Sequence, residues 1–139
     1  MLTSRDDTVK AVIAANAAFY DAFVRRDMAA MDRMWAEEAE VACIHPGWAV
    51  LNGREDVLDS WRRILSQPTP PDITYRDARV MIYGTCALVT CQELVAGVVL
   101  AATNVFVHEA GSWRMVMHQA SQVARPATWQ DMPPTGAVH

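Results

Sequence analysis

Runs of like charge are missing from this 139-residue chain. Its twelve basic residues, of which Lys10 is the single lysine, are scattered among sixteen acids, for a formal net charge of −4. Nucleic-acid binding needs a basic patch to meet phosphates, so no nucleic-acid partner is expected. Long apolar runs are missing too. Nothing approaches the roughly 18 residues that cross a bilayer, and the first ten residues, MLTSRDDTVK, are charged where a signal peptide needs an apolar core. No membrane partner is expected, and the expected location is cytoplasmic. Cysteine is scarce: Cys43, Cys86 and Cys91 are odd in number and form no CxxC pair, which favours free thiols over disulfides or zinc. His45, His108, His118 and His139 show no HxH or HxxxH spacing, so no metal site and no cofactor are expected. GxSxG is absent and the cysteines sit in apolar stretches that disfavour thiolates, which argues against a nucleophilic enzyme.

What is present is core-forming sequence: 52% of the residues are hydrophobic, enough for one compact domain. Val9, Val12, Ile13, Asn16, Phe19, Tyr20, Phe23 and Val24 recur at three- and four-residue spacing and predict a helix from about Ser4 to Arg26. Asn16 breaks that apolar stripe, and a buried amide needs a partner or a polar cavity. Asp27 reads as the cap of a short second helix with Met28, Met31, Met34 and Trp35 on its inner face. Val41–Ile44 reads as a strand ending on His45-Pro46-Gly47-Trp48. Asn52 and Glu55 suggest the cap of a third helix bearing Val57, Leu58, Trp61, Ile64 and Leu65. Prolines in SQPTPPD, residues 66–72, stop that helix.

After Asp72 the pattern changes to β-branched and aromatic residues, with Gly84, Gly97 and Ala110-Gly111 placed for hairpin turns. About four long antiparallel strands follow. Helices first and strands after imply an α+β fold: a conical, curved antiparallel sheet, a partial barrel or roll, with three N-terminal helices closing its concave face. Residues 1–124 form the expected domain, and the proline-rich 125–139 an irregular tail carrying Trp129.

The stretches AFYDAFVRRDMAAMDRMWAEEAEVACIHPGW, LNGREDVLDSWRRI and TNVFVHEAGSWRMVMHQAS, in that order, resemble the SnoaL-like or nuclear-transport-factor-2-like superfamily. That superfamily has a cystatin-like α+β roll and includes ketosteroid isomerase, scytalone dehydratase and the calcium/calmodulin-dependent kinase association domain. The resemblance covers about Val9 to Val123 and implies a cone that dimerises through the outer face of its sheet. It names no reaction, because the fold hosts enzymes and non-enzymes. Ketosteroid isomerase uses an aspartate base with a tyrosine and a protonated aspartate. Here His45 stands at the base position, the tyrosine falls on Phe19 or Tyr20, and the second aspartate has no counterpart between Val98 and Asn104.

Period-two counting from the last turn puts Trp113, Met115, Met117 and Gln119 on the face of Phe106 and Asn104, with His118 opposite, at a dimer surface. Kinase association domains hold pocket arginines at positions resembling Asn104 and Cys91, so this face, with Glu93, is expected inside. The expected pocket lining is Asn16, Tyr20, Trp35, His45, Trp48, Trp61, Cys91, Glu93, Asn104, Met117 and Gln119. Glu93 and His45 are the candidate catalytic residues. A carboxylate in an apolar setting gains a raised pKa and can act as general acid or base, and an imidazole at the pocket mouth can do either. Alternatives remain: Glu93 as an exposed strand end, His45 as a backbone-bonded structural ring, the indoles as core. Three functions fit: a module binding an unidentified small molecule, a cofactor-independent isomerase, cyclase or dehydratase, and an oligomerising module.

Overall fold

In a computed structural model, residues 4–69 and 72–124 are described; the tail and Trp129 lie outside them. Helix α1 spans Arg5–Arg25. The Ser4 side chain accepts the Asp7 amide proton at 3.0 Å, satisfying a donor that the helix start leaves free. Val12, Asn16, Phe19 and Tyr20 form its buried face, whereas Ile13 and Val24, expected on that stripe, are about half exposed. Helix α2, Met28–Met34, starts at Asp27, whose carboxylate accepts from Ala30 as the sequence predicts. Strands β1, Ala42–Ile44, and β2, Leu51–Asn52, follow. Helix α3, Arg54–Leu65, differs from expectation at its start: the cap is Gly53, without a side-chain bond, because Asn52 is used in β2. An Arg54–Asp32 bond of 2.6 Å ties this helix start to α2 instead.

Four long strands complete the sheet: β3 Ile73–Tyr83, β4 Cys86–Val95, β5 Val98–Glu109 and β6 Ser112–Gln122. The order is β2-β1-β6-β5-β4-β3. Neighbours are antiparallel except β1 and β6, which run parallel, so the curved sheet is mixed rather than wholly antiparallel. Ala96-Gly97 and Ala110-Gly111 join β4 to β5 and β5 to β6. All four residues have positive φ, the backbone that tight two-residue hairpins require. Trp35, Trp61, Phe19, Phe106, Met31 and Met115 are fully buried between helices and sheet.

A β-bulge decides which side chains of β6 enter this core. Pairing runs regularly from the Ala110-Gly111 turn to Phe106 opposite Met115, then shifts: Val105 faces Met117 and Asn104 faces His118. Val116 is the extra residue. Beyond it inward and outward exchange places. His118 and Ala120 are buried, while Met117 and Gln119 turn to the outer face and are only partly covered. The expectation that placed Met117 and Gln119 in the pocket and His118 outside is therefore corrected.

Candidate functional site

Alternation along β4 carries Ala87, Val89, Cys91 and Glu93 inward, and along β5 it carries Ala102, Asn104 and Phe106. Helix α1 lays Asn16 and Tyr20, one helical turn apart, against them. The result is a polar knot inside an aromatic core. The Tyr20 hydroxyl donates to Glu93 Oε2 at 2.6 Å and lies 3.2 Å from Cys91 Sγ. Asn104 Nδ2 donates to Asn16 Oδ1 at 2.8 Å and to the Tyr20 oxygen at 3.2 Å. Both protons of that amide are then used, so Asn104 Oδ1 must accept, and at 2.6 Å it takes the Nδ1 proton of His118. The lone pair on His118 Nε2 is left facing Glu93 Oε2 at 4.0 Å.

These groups hold unusual protonation states. Burial lifts the Glu93 carboxyl to about 7, the Tyr20 bond pulling the other way. Burial lowers His118 to about 3, with nearby His45 adding to the effect. Glu93 and His118 therefore meet below neutral pH as an uncharged acid and an uncharged base, not as an ion pair. Burial, with Glu93 and Cys91 nearby, keeps the Tyr20 phenol protonated far above its ordinary range. The Cys91 and Cys43 thiols rise to about 11 and about 12, mainly by burial, and stay neutral.

His45 stands beside this knot, at the end of β1. The turn after it, Pro46-Gly47 with Gly47 at φ 81°, closes through the Trp48 amide donating to the His45 carbonyl at 2.9 Å, the pattern of a type II turn. Trp48 folds back and meets the imidazole edge-on at 4.8 Å. Ser60 gives its hydroxyl proton to the Val57 carbonyl at 2.6 Å, so it accepts the Nε2 proton of His45 at 2.9 Å. Burial and the Arg63 charge hold His45 at about 4. The Arg63 guanidinium sits 5.6 Å over the Trp48 ring. Trp61 links the two histidines, its ring 4.9 Å from His45 and 5.9 Å from His118.

Asn16, Tyr20, Cys91, Glu93 and Asn104 are thus brought together, with His45 and Trp61 beside them. Trp35 is fully buried on the Met115 side of the core, and Trp48 is 40% exposed. His118, Ser60 and Tyr75 were not expected here. Tyr75 stacks on Tyr20 at 4.3 Å and pairs with Glu93 across β3 and β4. The unbroken apolar run Met115-Val116-Met117 was the one sequence sign of the bulge that admits His118, since it supplies no alternation to follow. Asn16 Nδ2, Trp35 Nε1 and Trp61 Nε1 are buried without an acceptor among the described residues. A cavity of about 540 Å³ reaches Tyr20 and Tyr75 from outside, between α1 and β3.

Comparison with known proteins agrees with this fold. A curated Arabidopsis thaliana protein, F-box protein SKIP8, is 31% identical over 116 residues, which cover 82% of this chain and 50% of that one; the chain spans about half the length of this relative. A solved Streptomyces avermitilis structure of the NTF2-like family, provisionally named a dehydratase, is 32% identical with a TM-score of 0.82, covering 88% of this chain and all of the other. A Thiobacillus denitrificans structure, provisionally named a calcium/calmodulin-dependent protein kinase type II association domain, is 33% identical with a TM-score of 0.71, covering 79% and 93%. The model of the SnoaL-like domain matches residues 12–126, and the chain belongs to that family.

Proposed function

We propose that this domain binds a small, largely apolar, carbonyl-bearing molecule inside the cone and moves a proton on it, with Glu93 as the acid–base group. One observation carries the reading: Glu93, 2% exposed and with its pKa near 7, touches the Tyr20 hydroxyl and faces the free nitrogen of His118. A carboxyl poised near neutral pH can both take and return a proton. The Tyr20 phenol, which stays protonated, is a neutral donor suited to a developing enolate oxygen once its proton turns from Glu93, and Asn104 holds that phenol in place. Likeness to a protein provisionally named a dehydratase supports an enzymatic reading. His45, held at about 4 and engaged with Ser60, serves better as a neutral wall than as the base.

The test is proton exchange. Cyclic ketones and enones incubated with the protein in deuterium oxide should exchange the hydrogen beside the carbonyl. Glu93→Gln should slow that exchange by roughly 100-fold or more. Exchange that is no faster than buffer, or equal in Glu93→Gln, sinks the enzymatic reading and leaves binding alone.

A second reading, self-association through the outer sheet face, is favoured by a specific row. Met81, Leu88, Val105 and Met117 are cross-strand partners over four strands and point away from the core. Sedimentation should give a dimer that Val105→Lys splits; a wild-type monomer overturns it. The three free thiols suit a reducing, cytoplasmic setting.

A further inference from the structure

A cavity of about 780 Å³ opens near the start of α1, away from Glu93; Thr8, on its rim, lies about 18 Å along the helix from Tyr20 at the usual rise. Ala11, Ala14 and Ala15 form its floor, three short side chains on a helix face where longer ones would fill the space. Arg33 from α2 and Arg114 from β6 line it, with the Trp113 indole beside them. Arg33 is exposed and makes no ion pair among the described residues. Arg114 Nη1 donates to the Arg33 carbonyl at 3.2 Å, which fixes the guanidinium in place. Its Nε–H is buried without an acceptor among the described residues.

Glu109 is the acid that Arg114 feels, and it is already engaged. Its two oxygens accept the backbone protons of Glu37, Glu38 and Ala39 at 2.8, 3.2 and 2.9 Å. The carboxylate serves that turn, while Arg33 and Arg114 both line the cavity and Arg114 keeps one unspent donor. Paired guanidinium donors recognise a planar carboxylate, and an alanine floor beside an indole accepts a flat apolar body.

We propose that this cavity is a second binding site, independent of the Glu93 cluster, for a small carboxylate carried on a flat apolar ring. The carboxylate takes the Arg114 Nε proton and the charge of Arg33, and the ring lies over the alanines against Trp113. Benzoate is the probe, titrated while the Arg114 Nε–H and Trp113 indole signals are followed by NMR. Saturable shifts of both signals are expected. Benzamide, its neutral counterpart, should bind roughly tenfold more weakly, and so should benzoate to Arg33→Gln or to Arg114→Lys, which keeps the charge but lacks Nε–H. Arg33 is exposed, so its variant keeps the test clear of misfolding. Equal binding of benzamide, or unchanged affinity in both variants, overturns the charge reading. Inorganic phosphate matching benzoate overturns the apolar body. Benzoate shifts that appear at His118 instead, or nowhere, overturn the site.

Discussion

Replacing Glu93 with glutamine changes how stability depends on pH. The carboxyl has an ordinary value of 4.5 in the unfolded chain and about 7 in the fold. Its folded pKa is raised, so between these values the native protein holds a proton that the unfolded chain has released. Each pKa unit corresponds to about 1.4 kcal/mol, and the displacement therefore costs the fold about 3 kcal/mol once pH passes neutrality. The cost is absent below about pH 4.5, where both states are protonated. Glutamine is neutral throughout and keeps an oxygen for the Tyr20 hydroxyl. All other titrating groups are common to the two proteins and cancel in the difference, including His45 and His118, whose lowered pKa values make acid destabilise both. Urea unfolding at several pH values measures that difference. Parity is expected near pH 4.5, with the variant pulling ahead until it is about 3 kcal/mol more stable near pH 8. A difference that stays flat, or a variant that loses ground as pH rises, would mean that Glu93 is ionised in the fold and paired with a protonated His118. That result would refute the reasoning.

Three further outcomes are expected. Tyr20→Phe removes the bond that pulls the Glu93 carboxyl down, so the midpoint of its protonated carbonyl band in infrared titration should move higher still. Asn104→Leu strands the Nδ1 proton of His118 and the oxygen of Asn16, and chemical denaturation should show a loss of about 2–4 kcal/mol. Ala110 holds φ 52° in the last hairpin, a conformation asparagine tolerates better; Ala110→Asn should raise stability by about 1 kcal/mol in thermal unfolding.

Much of this fold can be read from spacing. Ser4 and Asp27 act as caps because a short side-chain oxygen next to an apolar periodic run has few other uses. The inward face of β4 follows from strict alternation through Cys91 and Glu93. The meeting of Asn16 with Asn104 was half legible: a lone amide on an apolar stripe demands a partner, although its sequence position does not say which. His118 escaped because register is set by hydrogen bonding across the hairpin, and one inserted residue cancels the count of side chains beyond it. The parallel pairing of β1 with β6 escaped because three residues carry too little pattern to choose a neighbour.

Val116 makes the last strand behave like a message with a reading frame. Were Val116 to pair with Val105 in phase, with no residue lost or gained, Met117 would stand opposite Asn104 and Gln119 opposite Ala102, and the imidazole would turn outward. Asn104 would lose the proton it accepts, and Glu93 would face a thioether. Deleting Val116 has the contrary effect: the strand straightens, and His118 stays opposite Asn104. The proton-handling interior thus rests on a slip of pairing and not on the length of the strand. A relative one residue shorter at this point keeps the same inward set, whereas one of equal length without the bulge exchanges it for an inert one.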